Sequence, residues 1–278
     1  MAARADVRLA PLFTDGAVLQ RDKPVAIWGL GDGGEKISIS FAGQKCETTA
    51  AGDGRWIVYL DALTTSAQGA ELIVAGKNTV TVHDVVVGEV WLCSGQSNME
   101  WPVSRAENAA AEIAAAQFPL VRHVHIEHTV ADAPAEMVKT RGWQPATPPN
   151  VGGWTAVGYF FAREIHEKTG VPIGIVHSSW GGTPVEAWMS PAALRSSPAF
   201  SVVEQRWQQA LAEYPAKKKT YEEQLAARTS AEASATTQGA AATAAFAKQN
   251  PRPPAPRGPG DPWTPTGLFN GMINPLLP

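Results

Sequence analysis

A short stretch of the sequence contains a serine that could act as a nucleophile. The stretch is WLCSGQSNMEW, residues 91–101, in which Ser97 lies two residues after Gly95 at the end of a mostly apolar run. A serine hydroxyl becomes a useful nucleophile when a base removes its proton and N–H groups stabilise the developing oxyanion. The motif reads G-Q-S-N-M and does not match the G-x-S-x-G nucleophile elbow. From these residues alone, Ser97 is either a presented nucleophile or an ordinary turn serine.

A second stretch could supply the N–H groups. It is HSSWGGTPVEAW, residues 177–188, and it contains the consecutive glycines Gly181 and Gly182 after another apolar run. Glycines allow the backbone to approach a ligand closely, which suits an oxyanion hole but equally suits a tight turn. Ligands of open α/β sheets bind outside the carboxyl ends of the strands. We therefore expect both loops to lie at one such edge.

The elements that precede these loops change in character near residue 88. Residues 8–88 consist of short runs separated by turn signals, which is typical of a small β-sandwich. In KISISF, residues 36–41, apolar and polar residues alternate, which predicts a half-buried strand. From residue 88 onward, apolar strands alternate with helical stretches. That order predicts an α/β domain with a mainly parallel sheet.

Helix and strand signals can be placed within the α/β region. Ser104 and Glu107 have the spacing of a capping box, which predicts a helix from there to about Gln117. A second helix is predicted to begin at Thr155 and to end at Gly170. Further strands are predicted at residues 120–128 and 171–179.

The predicted domain organisation follows from these patterns. We expect a β-sandwich-like domain at residues 1–87 and an α/β domain at residues 88–278. Residues 200–262 read as an insertion in the second domain, first as solvated helices and then as a proline-rich extended segment. Only about three parallel strands are apparent, fewer than a covered parallel sheet usually has. We therefore expect the α/β domain to be incomplete in this chain.

Composition excludes several classes of partner. The net charge of −3 provides no basic surface for nucleic acid. No apolar stretch is long enough to span a membrane, and the N-terminus lacks the apolar core of a signal peptide. The two cysteines, Cys46 and Cys93, are predicted to be free and buried, and no zinc-type cysteine pair is present. Ten tryptophans mildly favour a carbohydrate ligand.

Long motifs are distributed along the chain: LFTDGAVLQRDKPVAIWG, DGRW, VVVGEVWLCSGQSNMEW, GVPIGIVHSSWGGTPVEAW and PTGLFNGMINPLLP. Together they resemble the bacterial sialate O-acetylesterase family, within the SGNH or GDSL-like hydrolases. The resemblance covers nearly the whole chain except residues 200–260. The resemblance implies a flavodoxin-like hydrolase domain preceded by a β-sandwich-like part. It also implies a hydrolase that removes O-acetyl groups from carbohydrates without a metal or organic cofactor.

The resemblance also implies roles for individual residues. Ser97 corresponds to the nucleophile, and the N–H groups of Ser97 and of Gly181 or Gly182 to the oxyanion hole. The sequence does not decide between the two glycines. Trp101 and Trp180 stand beside the two loops and are candidates for stacking on a sugar, although core packing explains them equally well. Family members are often exported, so the resemblance leaves the localisation open.

The chain departs from the family pattern at the catalytic base. Family members continue into a Q-G-E-S-N type segment and an Asp-x-x-His pair, and neither motif occurs in this sequence. Among the histidines present, His177 is the nearest substitute, because it lies near the glycine loop, although it precedes that loop in the strand. We therefore expect a C-terminally truncated esterase whose base lies beyond Pro278, with weak activity or none. The alternative is a non-catalytic carbohydrate-binding remnant.

Overall fold

The structure is a computed structural model that describes residues 6–237 and 239–277. The described residues form two compact units, 6–183 with 269–277, and 184–237 with 239–268. The strands are β1 (Arg8–Leu9), β2 (Val18–Gln20), β3 (Val25–Leu30), β4 (Lys36–Phe41), β5 (Gln44–Thr49), β6 (Arg55–Leu60), β7 (Ser66–Ala75), β8 (Thr79–Gly95), β9 (Phe118–Ile126), β10 (Thr140–Ala146) and β11 (Ile173–Ser179). The α-helices are α1 (Ser97–Glu100), α2 (Ala109–Ala114), α3 (Pro148–Val151), α4 (Ala156–Thr169), α5 (Pro191–Leu194), α6 (Ser201–Thr236) and α7 (Ala240–Gln249).

The first unit is built on one large mixed sheet. Its strand order is β10-β9-β11-β8-β7-β4-β5, and β2 also pairs with β8. Strands β8, β11 and β9 run parallel to one another, as predicted for the α/β region, whereas β7, β4 and β5 continue the sheet antiparallel. A separate three-stranded sheet has the order β1-β3-β6.

A single hydrophobic cluster lies between the three-stranded sheet and the antiparallel part of the large sheet. It includes Ile27 of β3 and Leu60 of β6, together with Ile39 of β4 and Leu72 of β7. The inward residues of β4 are Ile37, Ile39 and Phe41, the face predicted from the alternating pattern. Burying large aliphatic side chains from both sheets is the main stabilising contribution to this half of the unit.

A second cluster packs helix α4 against the parallel strands. Thr155 caps this helix, since its side chain accepts a hydrogen bond from the N–H of Gly158, and the helix ends at Gly170. Tyr159 on α4 and Ile175 on β11 are both fully buried in the cluster. The predicted start and end of this helix are thus confirmed. Cys93 is buried and free, whereas the free Cys46 is only partly buried, so the prediction of burial is wrong for Cys46.

Strand β8 is continuous across the position at which a domain boundary was predicted. Residues 78–87 and 88–95 were assigned to different domains, but Thr79–Gly95 forms one strand, with Asp84 at a φ of +55°. The boundary at residues 87 and 88 therefore falls inside the hydrogen-bonded ladder. The assignment of two domains stays a prediction.

The second unit contains a long polar helix and a shorter alanine-rich helix. Helix α6 spans 36 residues with no buried residue, and α7 follows as the second helix. Residues 251–258 have no regular secondary structure, as their proline content predicts. Among the described residues, no helix combines the length and the hydropathy that a membrane span requires.

Candidate active site

Two neighbouring parallel strands bring the two loops to the same edge of the sheet. In the register of β8 and β11, Ser179 lies opposite Gly95. Ser97 and Gly181 therefore each lie two residues beyond this last pair. The N–H of Trp180 donates to the carbonyl oxygen of Gly95 at 3.1 Å, which joins the two loops directly after the strands end.

Ser97 occupies the first position of the short helix α1 and is exposed to solvent. Gly95 has a φ of +142°, a conformation that other residues rarely adopt, so glycine is needed for the chain to turn here. The Ser97 Oγ lies 3.2 Å from the side-chain oxygen Oε1 of Gln96. Within the part of the chain that the structure describes, no histidine is hydrogen-bonded to this Oγ.

The glycine pair lies directly against the serine loop. A Cβ placed on Gly181 would be 3.4 Å from Ser97 Cα and only 2.6 Å from Glu100 Oε2, so the absence of a side chain permits this approach. The N–H of Gly181 donates to Glu100 Oε2 at 2.7 Å. The N–H of Gly182 donates to Gln96 Oε1 at the longer distance of 3.3 Å. The two glycines therefore have different partners.

Glu100 connects the glycine loop to a third loop. Its Oε1 lies 3.2 Å from Nε2 of His128, which follows β9 at the same edge of the sheet. The His128 ring stacks on Trp180 with the centroids 4.0 Å apart and the planes within 5° of parallel. One face of Trp180 is therefore covered by His128. Nothing in the sequence pattern pointed to Glu100 or His128, because their contacts are long-range.

The two tryptophans predicted to contact a sugar have different environments. Trp101 is 49% exposed, and its indole N–H donates to the Arg105 carbonyl oxygen at 3.1 Å. The Arg105 guanidinium lies 5.8 Å from the centroid of the Trp101 ring. Trp180 is stacked on His128 as described above. Of the two, Trp101 offers more exposed ring surface for a ligand.

His177 is buried in a network that leaves it unsuited to the role of base for Ser97. Its Nε2 lies 2.7 Å from Ser179 Oγ, and its Nδ1 lies 3.2 Å from His123 Nε2. Both ring nitrogens are therefore engaged with other groups. Burial, together with the nearby charges of His125 and His128, lowers the pKa of His177 to about 3. Burial also lowers the pKa of His123 and that of His125.

We expect acid to destabilise the fold through these histidines. The pKa of His177 falls from an ordinary 6.5 in the unfolded chain to about 3 in the folded protein, so the unfolded state binds protons more readily. The unfolding free energy is then highest above pH 6.5 and falls as the pH drops towards 3. For His177 alone the loss is about 2 kcal/mol at about pH 5.

The measurement is urea unfolding between about pH 8 and about pH 5. His177→Gln, which removes one titrating group, should make the unfolding free energy less dependent on pH than in the parent protein. An unchanged pH dependence in the variant would show that His177 does not contribute as stated.

The described residues contain no group of three or more His, Cys, Asp or Glu side chains that could hold a metal ion. What the loops bring together is a hydroxyl and backbone N–H groups at the carboxyl edge of parallel strands. Such an arrangement suits acyl transfer, in which a nucleophile attacks a carbonyl carbon and N–H donors hold the oxyanion. The mixed α/β sheet and the hydroxyl with N–H groups at its edge match part of what an esterase of the α/β class requires.

Comparison with known proteins agrees with that class. A sequence model described as carbohydrate esterase, sialic acid-specific acetylesterase, matches residues 87–228. The matched range contains both loops and covers just over half of the chain. The chain belongs to this carbohydrate esterase family.

Individual relatives support the same assignment. The sialate O-acetylesterase of Pongo abelii is 32% identical over 208 residues, and that of Homo sapiens is 33% identical over 208 residues. Each alignment covers 68% of this chain and 40% of the relative, so the chain spans less than half the length of these curated proteins. A carbohydrate acetylesterase from Xanthomonas citri has a similar structure, with a TM-score of 0.70 and 32% identity, covering 97% of this chain and 48% of the other.

Proposed function

We propose that the protein is a carbohydrate O-acetylesterase that works by serine acyl transfer, with Ser97 as the nucleophile. The single observation that carries this proposal is the position of Ser97 against the glycine pair. A Cβ on Gly181 would lie 3.5 Å from Ser97 Cβ, so any group bound at Ser97 also faces the backbone of this loop. Family membership and the names of the relatives support acetylated sugars as the substrate class.

The reaction has two steps. The Ser97 Oγ attacks the acetyl carbonyl carbon while its proton passes to a general base. The bond between the acetyl carbon and the sugar oxygen breaks, the sugar oxygen takes up a proton, and an acetyl group remains on Ser97. Water then attacks this acyl group, which releases acetate and restores the serine.

The oxyanion is assigned to the N–H groups of Ser97 and Gly182. The N–H of Gly181 is already engaged by the Glu100 carboxylate at 2.7 Å, a charge-assisted hydrogen bond that is costly to replace. The contact of the Gly182 N–H with the neutral amide oxygen of Gln96 is longer, at 3.3 Å. Gly182 is therefore the better donor, and Gly181 serves to let the loop approach Ser97.

The finer description of the fold belongs to the same proposal. We assign the parallel part around β8, β11 and β9 to a flavodoxin-like SGNH hydrolase domain, with residues 200–262 as its insertion. The residues before it are assigned to a β-sandwich-like domain, which the core shared by the two sheets supports. Sialic acids are the substrates named for the relatives, and Trp101 is the candidate for stacking on the sugar.

Acetate release from a panel of O-acetylated sugars, including sialic acids and plant-type sugars, tests the proposed function. A fluorophosphonate probe, which reacts with activated serines, should label the protein, and peptide mass spectrometry should locate the label at Ser97. Sugar binding with neither acetate release nor labelling would favour a non-catalytic carbohydrate-binding protein. Sugar binding should therefore be measured separately from acetate release, because no described histidine is hydrogen-bonded to Ser97 Oγ.

A further inference from the structure

The side-chain amide of Gln96 occupies the proposed oxyanion hole. Its Oε1 lies 3.4 Å from the backbone nitrogen of Ser97 and 3.3 Å from that of Gly182, and it accepts from both. The same oxygen lies 3.2 Å from Ser97 Oγ. A bound ester would place its carbonyl oxygen beside the same hydroxyl and against the same two N–H groups. The amide oxygen of Gln96 thus stands where the substrate's oxygen is required.

We propose that Gln96 acts as a gate whose side chain closes the oxyanion hole and must rotate away before an ester binds. This proposal rests on the proposed function, because it assumes that the N–H groups of Ser97 and Gly182 form the hole. In this scheme the side chain of Gln96 competes with the substrate for the N–H groups of Ser97 and Gly182. It takes no part in the formation or breaking of bonds.

The surroundings of Gln96 allow such a movement. The residue is exposed, and its side-chain nitrogen Nε2 has no hydrogen-bond partner among the described residues. The side chain is therefore held only through Oε1, by contacts at the long end of the hydrogen-bond range. A neutral amide oxygen is also a weaker acceptor than an oxyanion or a carboxylate. A ligand with a more strongly charged oxygen can consequently displace Gln96.

The backbone and the side chain of Gln96 have different roles in this loop. The carbonyl oxygen of Gln96 accepts from the N–H groups of Met99 and Glu100 at 2.9 and 3.0 Å, which begins helix α1. Its side chain meanwhile gives the Ser97 and Gly182 N–H groups a partner. The backbone of Gln96 therefore shapes the loop, whereas its side chain occupies the site. Replacing the side chain with a shorter one removes the side-chain contacts and keeps the backbone hydrogen bonds.

Acetate, the product of the proposed reaction, is a suitable probe because its carboxylate oxygen can enter the hole. Its dissociation constant is measured from NMR shifts of the Ser97 and Gly182 amides. We expect Gln96→Ala to bind acetate about fivefold more tightly than the parent protein, since the competing amide is gone. Gln96→Glu places a charged acceptor on a side chain of the same length. We expect this variant to bind acetate at least about fivefold more weakly than the parent protein.

The opposite directions of the two effects separate a gate from a merely structural residue. If Gln96 only supported the loop, both substitutions would weaken acetate binding or leave it unchanged, and either result would overturn the proposal. Asn98→Ala is the matched control, because Asn98 is an exposed neighbour on α1 whose side chain makes no hydrogen bond to the described residues. It should bind acetate as the parent does.

Failure of the gate can be distinguished from failure of the proposed function. Equal acetate affinity in the parent, Gln96→Ala and Gln96→Glu proteins overturns the gate, while hydrolysis that depends on Ser97 would still support the esterase. Conversely, hydrolysis that does not depend on Ser97 overturns the proposed function whatever the acetate titrations show. An absence of any acetate response at Ser97 and Gly182 in all three proteins overturns the gate and the assignment of these N–H groups to the oxyanion hole, and leaves the esterase to be decided by Ser97-dependent hydrolysis.

Discussion

Replacing Ser97 with alanine is expected to lower kcat for acetyl-ester hydrolysis by about a thousandfold or more in a protein in which a general base activates this serine. The substitution removes the Oγ that attacks the acetyl carbon and leaves only the residual effect of binding and of the N–H donors. Ser97 is exposed at the start of α1, so the loss of one hydroxyl should leave the fold intact. The measurement is acetate release under saturating substrate, with the unfolding free energy determined in parallel.

Ser104→Ala is the matched control for this experiment. Ser104 is another exposed serine near the same loop, and its side chain makes no hydrogen bond among the described residues. It should retain the parent's kcat. Equal rates for the parent and Ser97→Ala would remove Ser97 from the reaction, and equal losses in both serine variants would point to a general disturbance of the loop.

Replacing Gly88 with alanine is expected to lower the unfolding free energy by about 3 to 5 kcal/mol. A Cβ at this position would lie 1.9 Å from the carbonyl oxygen of Pro172 and 2.7 Å from its carbonyl carbon. These are backbone atoms, which cannot rotate away as the end of a side chain would. The same carbonyl oxygen accepts the N–H of Glu89 at 2.9 Å, where β8 begins to pair with β11. The two strands must separate there to accommodate the methyl group.

Urea unfolding of the parent and of Gly88→Ala measures this loss. Gly153→Ala is a suitable control, because a Cβ there has no atom within 4 Å and the backbone has no positive φ. Its unfolding free energy should stay within about 0.5 kcal/mol of the parent's. A Gly88→Ala protein as stable as the control would mean that β8 and β11 approach less closely than described.

The sequence predicted those elements whose signals are local. Helix α4 was found because Thr155 at its start and Gly170 at its end are capping residues in sequence as well as in structure. Strand β4 was found from its alternation, because one face is buried and the other is not. In both cases a residue's own chemistry and its nearest neighbours decide the conformation, so tertiary contacts were not needed to predict it.

The predictions failed where tertiary contacts overrode local signals. A helix was expected to begin at Ser104, but the N–H of Ser104 instead donates to the Gly152 carbonyl oxygen at 2.9 Å, and α2 begins only at Ala109. Strands β5 and β10 were missed because they lie at the two edges of the large sheet and contain few apolar residues. An edge strand pairs with only one neighbour and can remain largely polar, so its amino-acid composition does not predict that it is a strand.

The sequence predicted which loops form the site but did not predict the side-chain contacts within it. Parallel strands place their following loops at one edge, so the proximity of Ser97 to the glycine pair could be expected from the order of elements. The contacts of Glu100 with Gly181 and His128 join residues far apart in sequence, and no periodicity encodes them. The same holds for the contact between Gln96 and Gly182.

The continuity of β8 restricts how the site can open. A hinge requires residues that are free to change φ and ψ. Along β8, β2 and β7 hold the strand up to Gly88, and β11 holds it from Glu89 to Gly95. Every residue from Glu89 to Gly95 is paired with β11, so the stretch of β8 next to Ser97 provides no hinge. On this side of the site we expect access to depend on the loops that follow Gly95 and Ser179.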